Sequence, residues 1–242
     1  MKSQVVQTEN MNSLQTAFAR LGDRSQDIPR MGLVFGFAGA GKTTATARTA
    51  VSAGALYLRC SPVWTPSGLL DDLAKELRVN TYRRNQATLR AVVDVLDQSR
   101  RAVFLDDCDQ LFVCNEPLKL FESIRYIHDQ ANVPLLFVGQ ETFESKIRRW
   151  EQPQRRISEI IEFKPLSLDD AAAIAQARCE VEVTEDLLAQ LHKECDGSCG
   201  RIVVGLSAIE KLGRQQEIKR VDLDLWKQSG LRFFLQMQRL RS

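Results

Sequence analysis

Short apolar runs and helix-spaced apolar positions alternate along most of the chain. The run at 31–35 (MGLVF) stops at Gly36 and reads as a buried strand. A helix-compatible stretch follows over 43–53, then a second strand over 55–60 (ALYLRC). Between 61 and 84 the pattern is mixed. Ser67 stands where it would cap a short helix carrying Leu69, Leu70, Leu73 and Leu77. Asn85 stands where it would cap a better one, with Leu89, Val92, Val93 and Leu96 at helical spacing. Residues 102–106 (AVFLD) form an apolar run ending in acid, and a helix over 116–130 is expected to bury Leu118, Phe121 and Ile124. Residues 133–138 end at Gly139 as a fourth strand, and 159–163 (EIIEF) make a fifth.

Five strands alternating with helices predict an α/β fold with a mainly parallel sheet and helices on both faces. After Pro165 the pattern changes. Ser167 opens a helix over 168–180, Thr184 opens another over 185–195, and a third starts near Gly200, with no strand expected among them. The expected organisation is a polar N-terminal extension (1–30), an α/β domain (31–165), and a small all-helical domain with a C-terminal tail (166–242). No internal repeat or low-complexity stretch interrupts it.

Composition changes this picture little. The 242 residues carry 33 basic and 31 acidic side chains, a net +2, which excludes a histone-like protein and an acidic disordered chain. A near-zero sum is still compatible with local segregation of charge. No apolar run approaches the roughly 18 residues needed to cross a bilayer, and the first residues lack a signal-peptide core, so no membrane association and a cytoplasmic location are expected. The six cysteines (60, 108, 114, 179, 195, 199) are too dilute for a disulfide scaffold and are expected as thiols. His192, Cys195 and Cys199 lie close together, but without a second pair of ligands ordinary packing is the reading for them rather than zinc.

The sharpest chemical signal is Gly36-Phe37-Ala38-Gly39-Ala40-Gly41-Lys42-Thr43, which fits G-x-x-x-x-G-K-[ST]. About 0.01 chance matches are expected in a chain of this length. An apolar strand precedes the loop and a helix follows it. Glycines let backbone N–H groups turn toward an anion, and the helix N-terminus adds its positive end. Lys42 would reach the β- and γ-phosphates of ATP, the Thr43 hydroxyl would bind Mg²⁺, and Thr44 completes the segment. The acid-ended run Val103-Phe104-Leu105-Asp106-Asp107 comes about sixty residues later, where a strand-end carboxylate holds the metal or its water shell. Asp106 is assigned that role. Asp107 follows at the position where many ATPases carry a glutamate that polarises the attacking water.

Neither N-K-x-D nor LSGGQ occurs, so GTPases and transporter ATPases have no support. The order of phosphate loop, acid-ended strand, polar-ended strand and helical tail resembles the AAA+ ATPases, whose five-stranded core carries a helical lid. More narrowly, residues 8–215 resemble the Mu B and TnsC (TniB-like) transposition ATPases. The resemblance rests on 30–36 (RMGLVFG), 106–111 (DDCDQL), 124–129 (IRYIHD) with 133–139 (VPLLFVG), Arg156-Ile157, and 163–170 (FKPLSLDD).

The resemblance implies roles for further residues. Gln140 sits where the sensor-1 polar residue contacts the γ-phosphate or its water. Arg155 and Arg156, with Arg156 preferred, sit where an arginine finger enters a neighbour's site, and Arg201 matches the lid sensor-2 position. A surface role is the alternative for each. Two departures stand out. Asp107 is one methylene shorter than the usual glutamate, which implies slow hydrolysis and ATP used as an assembly switch. The segment before the first strand is also too short for the helix-turn-helix domain with which Mu B begins.

The family implication is an ATP-dependent, largely sequence-nonspecific ATPase that forms a homo-oligomeric ring or helical filament on double-stranded DNA. It would select transposition target sites and recruit and activate a transposase. Arg83 and Arg84 lie where the family lines its filament and rank first as DNA contacts. Two other basic stretches compete with them: 146–156 has five basic residues and one acid, and 211–242 has eight basic and three acidic. Leu231, Phe233, Phe234, Leu235, Met237 and Leu240 make an apolar tail, read as a packed lid element or as a docking segment. The alternatives to the transposition reading are a helicase loader or initiator, a signalling ATPase without a DNA role, and a small-molecule phosphotransferase.

Overall fold

The computed structural model describes residues 1–25, 28–150 and 154–234. The chain divides into two compact units. One comprises 11–37 and 42–163; the other comprises 1–10, 38–41 and 164–242.

The first unit is built on a five-stranded, all-parallel sheet in the order β2-β3-β4-β1-β5. Its strands are β1 (Met31–Gly36), β2 (Leu56–Arg59), β3 (Val103–Asp106), β4 (Leu135–Val138) and β5 (Ile157–Phe163). β3 and β4 are buried along their whole length, as strands covered on both faces must be. The crossovers carry α2 (Lys42–Ser52), α3 (Pro66–Leu77), α4 (Asn85–Ser99), α5 (Pro117–Ala131) and α6 (Glu141–Ile147), and a 3₁₀ turn over Cys108–Phe112 follows β3. The core joins Leu33, Leu58, Leu105 and Phe137 of the sheet to Leu70, Val92 and Ile124 of the helices. Phe112, Phe121, Phe143 and Trp150 close one side with edge and tilted ring contacts.

Several local expectations are corrected. Residues 1–30, expected as a polar extension, carry a helix not expected from the sequence. They form α1 (Glu9–Asp23), whose Met11, Leu14, Ala17 and Leu21 are buried and whose Phe18 ring packs 5.2 Å from Phe104. Glu159 of β5 holds this helix through Arg20 at 2.8 Å and Arg24 at 2.5 Å. Thr65, not Ser67, caps α3: its hydroxyl accepts from the Gly68 N–H, and Pro66 takes the first helical position, where no N–H is needed. Arg84 rather than Asn85 occupies the N-cap of α4, and Asn85 accepts from the Ser67 hydroxyl instead. Leu118 is 62% exposed, because Leu120, Phe121 and Ile124 set the buried face of α5 and Leu118 lies on the far side.

The second unit packs α7 (Leu168–Arg178), α8 (Glu185–Cys195), α9 (Cys199–Gln215) and α10 (Leu223–Gln228) around Leu187, Leu191, Ile202, Leu206 and Ile209. Ser167 caps α7, as expected, by accepting from the Asp170 N–H. The unit is not purely helical: β6 (Glu182–Val183) pairs in parallel with β7 (Arg220–Val221). Two residues a strand are too few to leave a period in the sequence. Residues 1–10 belong here. The Lys2 N–H donates to Arg178, and Asn10 exchanges two hydrogen bonds with the Lys164 backbone. His192 Nε2 lies 2.7 Å from the Leu166 carbonyl, and no group of three or more metal-ligating side chains occurs among the described residues. Phe233 is buried and stacks on Trp226 at 4.5 Å, which makes this part of the tail packed; Leu235, Met237 and Leu240 lie outside the described residues. No helix among the described residues is long and apolar enough to cross a membrane.

Candidate functional site

All five strands run in one direction, so their carboxyl ends share one edge of the sheet. β4 lies between β1 and β3. This order delivers the phosphate loop after β1, Gln140 after β4 and the acidic turn after β3 to one end of the fold. Ligand sites of open parallel sheets form at that end.

The loop leaves β1 at Gly36. Gly39 and Gly41 take φ of +86° and +90°, backbone geometry that turns N–H groups inward and that side-chain-bearing residues rarely adopt. The Gly39 carbonyl accepts from the Gly200 N–H at the start of α9, and the Gly41 α-carbon faces Cys199. Lys42 curls back over its own loop, with Nζ donating to the Gly36 carbonyl at 2.7 Å and the Phe37 carbonyl at 2.8 Å. Burial pulls its ammonium below the usual lysine range, against the fields of Asp106, Asp109, Asp107 and Glu141. Thr43 and Thr44 are exposed at the first turn of α2.

Asp106 is 3% exposed. Its Oδ2 accepts from the Tyr57 hydroxyl at 2.5 Å, and its Oδ1 accepts from the Asp107 N–H at 2.9 Å. A carboxylate offers about four lone-pair sites, so two remain. A hard oxygen donor on a buried strand end beside a lysine, with a threonine hydroxyl at the head of α2, is the donor chemistry Mg²⁺ takes. The residues therefore fit the ion. Burial, with Asp106, pushes the Tyr57 phenol far above its ordinary range.

Asp107 adopts the left-handed region at φ 54° and pairs with Arg59 Nε at 2.5 Å. The ion pair raises the Arg59 guanidinium further. Asp109 joins two site elements: one carboxylate oxygen accepts from the Gln140 N–H and the other from the Thr142 hydroxyl, both at 2.7 Å. It thereby caps α6 from outside and fixes the backbone that carries the exposed Gln140 side chain. Asp109→Ala is expected to destabilise the protein by about 1 kcal/mol, the ordinary cost of a lost cap. It should also lower turnover. Urea unfolding and phosphate release measure the two effects.

Tyr57, Arg59 and Asp109 were not among the expected site residues. The signal for Tyr57 and Arg59 lies in β2, where Leu56 and Leu58 are buried and Tyr57 and Arg59 alternate with them on the opposite face; that for Asp109 is the acidic turn itself. The register pairs Arg59 with Asp106, which makes Tyr57 its diagonal neighbour.

The expected arginines are placed as follows. Arg156 donates to Asp129 at 2.8 Å, a carboxylate that Arg125 also holds at 3.1 Å. Arg155 stands beside it at the approach to β5. Arg201 lies in the first turn of α9 with its guanidinium 4.5 Å over the Phe234 ring. Arg83 and Arg84 are exposed in the loop between α3 and α4, next to the half-exposed Tyr82, whose N–H is anchored by the buried Thr88 hydroxyl.

Known structures share this architecture. Cdc6p from Pyrobaculum aerophilum superposes with a TM-score of 0.67 at 17% identity, covering 91% of this chain and 66% of that one. The ORC1 protein of Aeropyrum pernix, solved in complex with DNA, gives 0.66 at 18%, covering 93% and 65%. ORC2 of the same organism, with ADPNP and ADP, gives 0.63 at 15%, covering 90% and 65%. The chain thus spans just under two thirds of the length of these proteins. At such identities the likeness shows the fold, an AAA+ P-loop NTPase fold. No curated protein matches the chain. A model of the AAA domain matches residues 26–147, which run from before the phosphate loop through the acidic turn to the end of α6. With half the chain matched, the phosphate loop and the acid-ended strand β3 included, the protein belongs to the AAA domain family.

Proposed function

We propose that the chain is an ATP hydrolase that binds double-stranded DNA with little sequence preference and oligomerises on it, so as to select transposition target sites and recruit and activate a transposase. The observation that carries this reading is the convergence of Lys42, Asp106, Asp107 and Gln140 on one sheet edge. Lys42 binds the β- and γ-phosphates once it exchanges the Gly36 and Phe37 carbonyls for them, Asp107 and Gln140 orient the attacking water, and Asp106 with Thr43 holds Mg²⁺. The ion neutralises developing phosphate charge when bound. Asp107, one methylene shorter than glutamate and already paired with Arg59, reaches the attacking water poorly, in keeping with slow hydrolysis that times disassembly.

Arg156 of one subunit supplies the finger to the next. Its pair with Asp129 is part-exposed and worth about 0–1 kcal/mol, so releasing it costs little. Arg201 turns from Phe234 to the γ-phosphate. ATP drives assembly because it binds the assembled state more tightly than the free chain.

Duplex DNA contacts Arg83 and Arg84, flanked by Tyr82. Support comes from their exposure on an anchored loop and from the DNA complex of the structurally similar ORC1. The fold likeness to Cdc6 and ORC proteins favours one second reading, an initiator-type ATPase. The double variant Arg83→Ala/Arg84→Ala is expected to weaken binding of a random duplex and to flatten the slope of log K against log salt by about 2. Fluorescence anisotropy with ATP across a salt series measures both. An unchanged slope removes these arginines from the interface.

A further inference from the structure

We propose that Tyr57 is a positioning residue for the metal: its hydroxyl fixes the Asp106 carboxylate in the orientation that receives Mg²⁺. The inference rests on the reading of Asp106 as the metal-side carboxylate and deepens it.

Three observations carry it. The first is the 2.5 Å bond from the Tyr57 hydroxyl to Asp106 Oδ2, on a carboxylate that is almost wholly buried. The second is that the other oxygen is held by the Asp107 N–H, so both oxygens are tethered from different elements. Without Tyr57, Oδ2 loses this partner and the carboxylate is held through Oδ1 by the Asp107 N–H. The third is the register. Arg59 opposite Asp106 fixes β2 against β3, so the phenol reaches its acceptor from a rigid strand rather than from a loop. A bond of this kind outside the ligand sphere orients the ligand and leaves its remaining lone pairs aimed at the ion.

The test measures binding, not turnover. The dissociation constant of the non-hydrolysable analogue AMP-PNP is determined by calorimetry in EDTA and in excess Mg²⁺, for the parent protein, Tyr57→Phe and Asp106→Asn. The ratio of the two constants is the gain that Mg²⁺ confers. Tyr57→Phe keeps the ring and removes only the hydroxyl. It is expected to leave the EDTA constant unchanged and to reduce the Mg²⁺ gain about tenfold. Asp106→Asn is expected to abolish the gain. If Tyr57→Phe weakens binding equally in EDTA and Mg²⁺, the tyrosine only supports the fold and the proposal fails. If Tyr57→Phe keeps the full gain while Asp106→Asn loses it, Tyr57 has no part in metal binding and the metal reading stands. If the gain survives in Asp106→Asn, the metal reading falls, and the role of Tyr57 with it.

Discussion

Lys42→Ala is expected to lower ATP turnover at least 100-fold while leaving the fold intact. The two halves of that expectation come from different observations. Among the described residues Lys42 Nζ bonds only to the Gly36 and Phe37 carbonyls of its own loop, so its removal strips no partner from the described core. The ammonium is partly buried and surrounded by Asp106, Asp109, Asp107 and Glu141, a field that favours keeping a cation there. A cation brought onto a transferring phosphoryl group is worth about 10²–10³ in rate. Nucleotide affinity is expected to fall as well, because in the proposed site the same ammonium binds the ground-state phosphates. Phosphate release at saturating ATP and a thermal melt of the same sample separate the effects. A large drop in rate with an unmoved melting temperature is the expected pair.

Gly36→Val is expected to damage both fold and site. Gly36 sits at φ +150°, and a β-carbon there would lie 2.5 Å from the Phe163 carbonyl oxygen of β5. That atom is backbone in a paired strand, with Gly36 in register with Phe163, and it cannot swing aside as a side chain would. The strained backbone and the overlap together cost on the order of 3 kcal/mol. The separation of β1 from β5 that relieves the overlap also moves the start of the phosphate loop. Urea denaturation should show the lost stability, and nucleotide binding should weaken even where the variant stays folded. By contrast, Gly22→Ala, at a position where a β-carbon meets nothing within 4 Å, serves as the neutral comparison.

Most of the sheet is legible in the sequence because its strands are covered on both faces. Continuous apolar runs such as 103–105 and 135–138 carry that signal, and Gly36 and Gly139 mark where two of the strands stop. The phosphate loop is legible because its chemistry is local, with loop, lysine and threonine contiguous in the chain. α1 is harder to read. Leu14, Ala17, Phe18 and Leu21 stand at helical spacing, but the polar residues between them lower the average that the eye follows. β6 and β7 leave no period at all. The partners of the acidic turn are harder still. That Tyr57 touches Asp106 and Arg59 touches Asp107 follows from the β2–β3 register, a non-local fact. Asp109 was visible as part of the acidic turn, but its bond to the Gln140 N–H needs β4 placed beside β3. The helical phase of α5 shows the same limit: Leu118 is as apolar as Leu120, and only packing decides which one is buried.

The central claim is that nucleotide state controls assembly on DNA. Electron microscopy of the protein with random-sequence duplex DNA, once with ATP and Mg²⁺ and once with ADP, tests it most directly. Rings or helical filaments enclosing the duplex with ATP, and their absence with ADP, are the predicted result. Single particles off the DNA in both conditions, or identical assemblies in both, would contradict the account.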